Sequence, residues 1–320
     1  MTMFSCVNHE VIFEDVEKEQ VCTLSSEILI DYPYCMEILN NDLFAVSTFE
    51  SVYLIDREGN LVRGIGRTGR AAGEYSFPMK VRRGETGELF VWSANTLRFL
   101  LYDYEGNYIQ DFPYDSGISD FMYHGGKLYI YTGGSAAENM INAYDLSTGK
   151  IDMLDSEVSE YHKLLTSTVS AAPIFMSEEK LYYSPKDLTE IRCMGEGRVA
   201  VSLKSETFSV DKTTDPAAMI DDREKKQLFF ANSSYTAGLI KKGECWYLLA
   251  YEGKSQIEGR HLNNSARQVV LYSSMNGPRC FHASDFGSLA TLSSYDGSFY
   301  FLSHNIEDDE DVYVLEAMVL

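Results

Sequence analysis

The repeating unit of the chain is clearest in residues 43–62, which read Leu43-Phe-Ala-Val-Ser-Thr-Phe-Glu-Ser-Val-Tyr-Leu-Ile-Asp56-Arg-Glu-Gly59-Asn-Leu-Val62. Residues 89–109 and 128–151 repeat its order of features: a short apolar strand, a loop, and a second strand of β-branched and aromatic residues that ends at an Asp. The three units close at Asp56, Asp103 and Asp145, which are 47 and 42 residues apart. A period of about 40–50 residues with several strands in each unit predicts the blades of a β-propeller.

The turn that follows each of these Asp residues has a consistent sequence. It reads Asp-x-x-Gly in the first two units, which end at Gly59 and Gly106, and Asp-x-x-x-Gly in the third, which ends at Gly149. Glycine adopts the positive φ that tight turns need, and Asp accepts hydrogen bonds from nearby backbone. The flanking apolar residues follow a period of two and not 3.6, so each unit is predicted to consist of strands joined by hairpins.

The rest of the chain continues the pattern with more variation. Further units begin near residues 181, 245 and 299, and the last has material for only about two strands. Residues 11–13 and 20–24 supply spare strands, and adding them to the last blade removes the free edges of an open array. The prediction is an all-β, six-bladed β-propeller with about four antiparallel strands per blade, closed by N-terminal strands. It occupies residues 10–320 as a single domain, after a segment of residues 1–9.

Two stretches do not fit the blades and are predicted to be short helices between them. Asp215-Pro216 is typical of a helix start, and Asp221 and Asp222 precede Lys225 and Lys226 by four residues, which predicts a helix over about 216–226. Val158, Tyr161 and Leu165 indicate a further helical turn.

Composition excludes several classes of protein. The 320 residues are 45% hydrophobic, which excludes wholesale disorder. The net charge of −21 argues against a nucleic-acid partner, since phosphate binding needs a basic surface. No run reaches the ~18 apolar residues that a membrane helix requires.

The segment between the first two units carries a family resemblance. Residues 64–81 read Gly64-Ile-Gly66-Arg-Thr-Gly69-Arg-Ala-Ala-Gly73-Glu-Tyr-Ser-Phe77-Pro78-Met-Lys-Val81. This resembles the NHL-repeat consensus, a Gly-rich segment followed by Phe-x-x-Pro and the opening strand of a blade. The Gly-x-Gly-x-x-Gly pattern favours an inter-blade loop with tight backbone turns over a dinucleotide site, because a strand is expected after it where a dinucleotide site requires a helix.

The whole chain resembles the six-bladed TolB-like or NHL-like propellers common among cell-envelope proteins of Bacteroides-type bacteria. The resemblance is specific over about residues 37–150 and looser afterwards. It implies a six-bladed ring with a binding role, often with an N-terminal lipid anchor, and no shared catalytic residues.

Cys6 follows Met1-Thr-Met-Phe-Ser5, which resembles the end of a bacterial lipoprotein signal. The charged and apolar regions that should precede it are missing, so we expect either an upstream segment and lipidation of Cys6 or an accidental match. The first alternative predicts a periplasmic or cell-surface lipoprotein, the second a cytoplasmic protein. The other five cysteines are expected to be mostly buried thiols.

No metal site or cofactor is predicted. Residues 307–311, Glu-Asp-Asp-Glu-Asp, would suit calcium by residue type, but consecutive carboxylates on an extended loop splay apart and favour a solvated loop. His261, His282 and His304 could converge only through the fold. No Gly-x-Ser-x-Gly motif is present, so no catalytic residue is predicted.

Loop lengths predict which face of the ring binds a ligand. The loops between second and third strands and those between blades are long and varied, whereas the hairpin turns on the other face are short. Function concentrates in variable loops on a rigid scaffold. The predicted ligand-binding residues share that variable face; they are Arg67, Arg70, Glu74, Asn95, Asn139, Arg260 and Asn264.

The arginines Arg67, Arg70, Arg82 and Arg83 concentrate positive charge in an acidic chain. They either neutralise neighbouring carboxylates or form a patch for a small anionic ligand.

The function predicted first is a non-enzymatic, monomeric binding or scaffold module of the envelope that binds a protein or glycan. The alternative is a propeller hydrolase or lyase acting on a carbohydrate or lactone. A third hypothesis is a structural subunit of a larger surface complex.

Overall fold

The computed structural model describes residues 14–28, 30, 32–134, 137–155, 158–166, 173–194, 198–205, 207–213, 215–219, 222–258, 261–263, 267–282, 292–307 and 310–320. Within these residues six four-stranded antiparallel sheets are arranged as the blades of a propeller, which confirms the predicted fold class.

The first three blades follow one another along the chain, with the innermost strand first. The first blade contains β2 (Cys35–Ile38), β3 (Leu43–Ser47), β4 (Val52–Asp56) and β5 (Leu61–Gly64). The second contains β8 (Pro78–Arg83), β9 (Glu88–Ser93), β10 (Arg98–Asp103) and β11 (Tyr108–Pro113). The third contains β12 (Ile118–His124), β13 (Lys127–Thr132), β14 (Ile141–Asp145) and β15 (Ile151–Asp155).

The later blades have the same order. The fourth contains β16 (Ile174–Ser177), β17 (Lys180–Tyr183), β18 (Glu190–Cys193) and β19 (Arg198–Ser202). The fifth contains β20 (Tyr235–Lys242), β21 (Cys245–Glu252), β24 (Gln268–Ser273) and β25 (Arg279–His282). The sixth contains β26 (Leu292–Tyr295), β27 (Ser298–Glu307), β28 (Glu310–Met318) and, as its outermost strand, β1 (Lys18–Thr23).

The N-terminal strand closes the ring. Strand β1 pairs antiparallel with β28, from Lys18 opposite Met318 to Thr23 opposite Val314. The innermost strands of successive blades contact one another around the complete circle, including β26 with β2. The predicted closure is therefore confirmed for residues 18–23, while residues 11–13 lie outside the described part of the chain.

The hydrophobic core is divided among the interfaces between neighbouring blades. Leu54 of the first blade packs in one cluster with Val91 of the second, and Phe99 of the second packs with Phe121 of the third. The cluster between the sixth and first blades includes Leu315 and Phe44, together with Cys22 of β1. Because the apolar side chains pack between blades, the innermost strands line a central channel.

The Asp turns form as the sequence predicts. The backbone N–H of Asn60 donates to Asp56 Oδ1 at 2.8 Å, and that of Asn107 donates to Asp103 Oδ1 at 2.7 Å. Gly59 and Gly106 have φ of 89° and 82°. A Cβ on Gly59 would lie 2.1 Å from the backbone oxygen of Thr23, so glycine is also needed for the close approach of the N-terminal segment.

Short elements connect the blades. Helix α1 (Glu160–Thr166) lies between the third and fourth blades, and a 3-10 helix (Pro216–Met219) and α2 (Arg223–Asn232) lie between the fourth and fifth. Two small two-stranded sheets extend from loops of the ring. One, β6 (Arg67–Thr68) with β7 (Glu74–Tyr75), lies in the connection between the first and second blades. The other, β22 (Gln256–Glu258) with β23 (His261–Asn263), lies between the second and third strands of the fifth blade. No helix in the described part of the chain is long and apolar enough to cross a membrane.

The two ends of the ring differ. The hairpins after the innermost strands and the Asp turns lie at one end, which we call the short-turn face. The loops between second and third strands and the connections between blades lie at the other end, the variable face. This division follows from the antiparallel strand order within each blade.

Candidate functional site

Three of the predicted ligand-binding residues form one hydrogen-bonded unit on the variable face. The guanidinium of Arg67 pairs with Glu74 at 2.7 Å, and the other Glu74 oxygen accepts the backbone N–H groups of Arg70 and Ala71 at 3.0 Å. The hydrogen bond from Ala71, together with Arg67, lowers the pKa of Glu74. Glu74 therefore organises the loop, while the Arg67 side chain stays 79% exposed.

The other predicted residues are less closely associated. Asn95 is exposed and donates to Ser76 Oγ at 3.2 Å, which places it beside the Glu74 unit. Asn139 is buried, and its amide donates to the backbone oxygen of Ile141 at 2.8 Å, so it serves the interior of the third blade. Arg260 and Asn264 lie outside the described residues, as does Cys6.

Four aromatic side chains form a partly exposed cluster on the same face, which we call the aromatic patch: Tyr32, Tyr34, Phe49 and Phe77. Tyr34 lies at its centre, with ring centroids 5.2 Å from Tyr32, 6.4 Å from Phe49 and 4.8 Å from Phe77. Tyr32 and Phe49 are 55% and 53% exposed. Because exposed apolar patches can serve as interaction sites, this cluster is a candidate binding surface.

The patch and the Glu74 unit are tied together by hydrogen bonds. Thr68, which follows Arg67 in β6, donates from Oγ1 to the backbone oxygen of Glu50 at 2.8 Å. On the other side, the backbone N–H of Ala94 donates to the oxygen of Phe77 at 3.0 Å. The aromatic rings thus lie next to the loop that carries Arg67, Arg70 and Glu74, and next to Asn95.

Phe77 has a backbone conformation that a bulky side chain rarely adopts. Its φ is 58°, in the left-handed region, which costs a non-glycine residue roughly 1–2 kcal/mol. Such strain is retained where the surroundings hold it and clusters at functional sites. Here it directs the Phe77 ring towards Tyr34 and Phe49.

A second feature is a cavity of about 650 Å³ in the central channel, to which all six blades contribute. Asn40, Glu85 and His124 line its mouth, so it opens at the short-turn face. None of the predicted ligand-binding residues in the described ranges borders this cavity. The ligand site on the variable face therefore stays a prediction.

The wall of the cavity formed by the first three blades is charged. Arg82 pairs with Asp120 at 2.5 Å and with Glu37 at 3.4 Å. Lys80, behind it, lies 3.7 Å from the same Asp120 oxygen. Ser293 of the sixth blade donates to Glu37 at 3.3 Å. Arg82 therefore neutralises neighbouring carboxylates, which was one of the two predicted roles.

Burial controls the charges of this network. Burial raises the pKa of Glu37, and Arg82 and Arg83 oppose that shift only in part. For Arg82 burial alone would lower the pKa, but Asp120, Cys35 and Glu37 outweigh it and the net pKa is raised. The guanidinium is therefore a fixed cation, whereas Glu37 takes up a proton more readily than an exposed glutamate.

A loop of the fourth blade, residues 184–188, lies on the variable face and is hydrogen-bonded to the third and fifth blades. Thr236 of β20 donates from its backbone N–H to the oxygen of Lys186 at 3.1 Å and from Oγ1 to that of Pro185 at 3.0 Å. Tyr131 donates to the oxygen of Ser184 at 2.7 Å. Burial and the nearby Lys80 lower the pKa of Lys186 to about 7.

Metal chemistry gains no support within the described residues, since no three His, Cys, Asp or Glu side chains there could hold an ion together. His304 contacts Asp311 at 2.7 Å and stacks on Tyr313 at 4.8 Å. Of the cysteines, Cys22, Cys35, Cys193 and Cys245 are buried free thiols and Cys280 is half-buried.

The charged network escaped sequence-based prediction, although a signal was present. Each innermost strand of the first three blades carries a charged residue within an apolar run: Glu37 in Cys-Met-Glu-Ile, Lys80 in Pro-Met-Lys-Val and Asp120 in Ile-Ser-Asp-Phe. A buried charge requires a partner, so such residues on successive innermost strands indicate a polar channel.

Comparison with known proteins agrees with the observed architecture. A comparison with curated proteins gives no match. Among solved structures, the fold is similar to that of a Bacteroides fragilis protein described as a "putative exported protein", with a TM-score of 0.68 and 13% identity over 96% of this chain and 95% of that chain. A DUF4221 family member from Bacteroides vulgatus gives a TM-score of 0.56 at 10% identity, over 96% and 97% of the two chains.

Similarity at these identities establishes the fold alone. The sequence itself matches one protein family, DUF5128, described as a 6-bladed beta-propeller, over residues 23–273. That match begins in β1 and extends through β24 of the fifth blade, and therefore the chain belongs to the six-bladed β-propeller family DUF5128.

Proposed function

We propose that this propeller is a non-enzymatic binding module of the bacterial cell envelope that docks a protein partner on its variable face. The aromatic patch carries the proposal, because it joins exposed rings and a strained Phe77 to the loop that holds Arg67 and Arg70. Aromatic residues and arginine are enriched in protein interfaces and dominate their binding energy. In this arrangement the rings form the apolar centre and Arg67, Arg70, Glu74 and Asn95 the polar rim.

A glycan is the other ligand class that the sequence predicts for this face. The aromatic patch favours a protein partner over a glycan, because its four adjacent rings, with centroids 4.8–6.4 Å apart, form a broad apolar area. The hydrolase or lyase alternative and the TolB-like or NHL-like subtype stay predictions, as do roles for Asn139, Arg260 and Asn264.

Site-specific photo-crosslinking in cells tests the docking surface. A photoreactive amino acid replaces Phe49 in the patch or, as the matched control, Ile109 on β11, since the two side chains are 53% and 51% exposed. We expect a discrete crosslinked protein band from position 49 and none from position 109. Tyr32→Ala and Arg67→Ala should reduce that band without changing the thermal unfolding temperature.

Equal crosslinking from both positions, or a band that Tyr32→Ala does not affect, would contradict a protein site at the patch. A glycan ligand would instead give no protein band and a patch-dependent signal on an array of envelope polysaccharides.

We also propose that Cys6 is lipidated in the native gene product. The fold resembles that of the Bacteroides fragilis protein described as exported, and the residues before Cys6 resemble a lipoprotein signal. Stable anchoring would need more than one acyl chain. Expression of the gene with its upstream sequence in a bacterial host should incorporate a palmitate analogue. Cys6→Ser should abolish incorporation and Cys280→Ser should not; incorporation that survives Cys6→Ser would overturn the proposal.

A further inference from the structure

The channel cavity has two chemically different walls. The first three blades supply the charged network of Glu37, Arg82 and Asp120, and the fourth to sixth blades supply apolar side chains, among them Phe175, Met176 and Leu292. A volume of about 650 Å³ lies within the range of small-molecule sites. A ligand that fills it must therefore present a polar group on one side and an apolar body on the other.

Close packing shapes the apolar wall. Gly238 of β20 lies against Leu292 and Phe299, and a Cβ there would come within 2.8 Å and 2.9 Å of their side chains. Glycine at this position thus lets the fifth and sixth blades approach each other beside the cavity. The resulting surface carries half-buried apolar groups whose further burial by a ligand is favourable.

Arg83 stands where the charged wall meets the cavity mouth. Its guanidinium lies over the Tyr295 ring at 4.8 Å and donates through Nη1 to the backbone oxygen of Ile38 at 3.2 Å. Nε is 4.0 Å from Glu37, too far for a hydrogen bond, and Nη2 has no hydrogen-bond partner among the residues described. The side chain is 38% exposed, so an oriented cation with unused donors faces the mouth.

The neighbouring carboxylates are already engaged. Asp120 is shared by Arg82 and Lys80, and Glu37 is shared by Arg82 and Ser293. At the rim, Glu85 pairs with His124 and accepts the backbone N–H of Gly125. An incoming anion at Arg83 would therefore meet a cation whose neighbouring carboxylate, Glu37, is buried and already paired with Arg82.

We propose that this cavity is a binding site for a small carboxylate with an apolar body. The carboxylate pairs with Arg83, whose planar fork suits two oxygens, and the body lies against Phe175, Met176 and Leu292. The site is independent of the protein-docking surface on the opposite face.

Calorimetric titration of the full chain with octanoate and its neutral match octanamide tests the proposal. We expect octanoate to bind at least about tenfold more tightly than octanamide, and Arg83→Gln to remove that preference. Arg57→Gln is the matched control, because Arg57 also lies over a tyrosine ring, that of Tyr300, but does not line the cavity. Arg57→Gln should bind octanoate as the wild type does.

Methionine methyl resonances locate the bound probe without any substitution. Met122 and Met176 line the cavity, whereas Met275 is exposed elsewhere. Octanoate should shift the first two signals and leave the third unchanged, even if Arg83→Gln does not fold. Equal affinity for the two probes, no binding up to about 10 mM, or shifts that spare Met122 and Met176 would overturn the proposal.

Discussion

At the residue scale, local backbone geometry and backbone hydrogen bonds fix the positions of two side chains on the variable face. Phe77 occupies the left-handed region, and Glu74 collects two backbone N–H groups as well as Arg67. Phe49, by contrast, does not have a positive φ. Both phenylalanines therefore belong to the aromatic patch, but only Phe77 carries the backbone strain of a positive φ.

This difference predicts opposite responses to glycine at the two positions. Phe77→Gly should be more stable than Phe77→Ala by about 1 kcal/mol, because glycine alone is unstrained at positive φ. Phe49→Gly should be less stable than Phe49→Ala by about 0.5–1 kcal/mol, the usual entropic cost of glycine. Urea unfolding of the four variants measures both differences, and the same sign at both positions would refute strain at Phe77.

His162 provides a prediction on pH. It is buried beside Tyr131, its Nδ1 accepts the backbone N–H of Lys186 at 3.1 Å, and its Nε2 has no partner within the described ranges. Burial, with Lys186 and Arg192, lowers its pKa from 6.5 to about 3. The imidazole of His162 therefore takes up a proton near pH 6.5 in the unfolded chain but only near pH 3 in the folded chain. Its contribution to the free energy of unfolding is fully present above pH 6.5 and is lost as the pH falls towards 3.

When the pH falls from 6.5 to 4.5, protonation of His162 in the unfolded chain should lower the unfolding free energy of the wild type by about 2 kcal/mol. His162→Gln should lack that loss, so the difference in unfolding free energy between wild type and variant should narrow by the same amount. Lys186, whose pKa is about 7, adds little to this change, because it is mostly charged in the folded state and charged in the unfolded state over this range. If the plots of unfolding free energy against pH for the wild type and His162→Gln were parallel, His162 would be protonated in the folded protein as readily as in the unfolded chain.

The residues that sequence alone identified are those whose partners are close in the chain. Asp56 and Asp103 bond to backbone four residues ahead, and Glu74 pairs with Arg67 seven residues before it. The members of the charged network come from three blades, so no local pattern links Glu37 to Asp120. The aromatic patch was missed for the same reason, since Tyr32, Phe49 and Phe77 belong to three separate loops.

At the scale of elements, the strands were predictable and the connections only partly so. The predicted helix over 216–226 is a 3-10 helix at Pro216–Met219 followed by α2 from Arg223. Asp222 explains the break, because it is the N-cap of α2 and accepts the backbone N–H of Lys225 at 3.0 Å. The charge pattern therefore marks the start of a second helix, and the prediction of one continuous helix over 216–226 is wrong.

The loop of residues 184–188 gives a prediction at this scale. Thr236→Val keeps the side-chain shape but removes the hydroxyl that donates to Pro185, so it should destabilise the fold by about 1 kcal/mol. Thr86, an exposed turn residue that donates to Glu88, is the control, and Thr86→Val should change stability by less than about 0.5 kcal/mol. Equal effects in urea unfolding would mean that the loop is not held to β20 by this bond.

At the scale of the whole molecule, β1 closes the ring by pairing with β28, and the channel inside the ring contains a cavity that all six blades line. Sequence predicted this closure because the last unit lacked strands and the first residues supplied them. It did not predict the channel cavity, because the positions of the six innermost strands around a common axis follow from tertiary packing.

Thermal unfolding of two truncations tests the closed ring most directly. Removing residues 1–30 deletes all of β1 together with the buried side chains of Leu24, Ile28 and Ile30, each of which contributes roughly 1.5–3 kcal/mol. That loss is comparable with a typical total stability of about 5–15 kcal/mol. The account predicts that this chain melts at least about 10 °C below the full chain or without a cooperative transition, and that removing residues 1–8 has little effect. An unchanged melting temperature for the longer deletion would contradict closure of the propeller by its N-terminal strand.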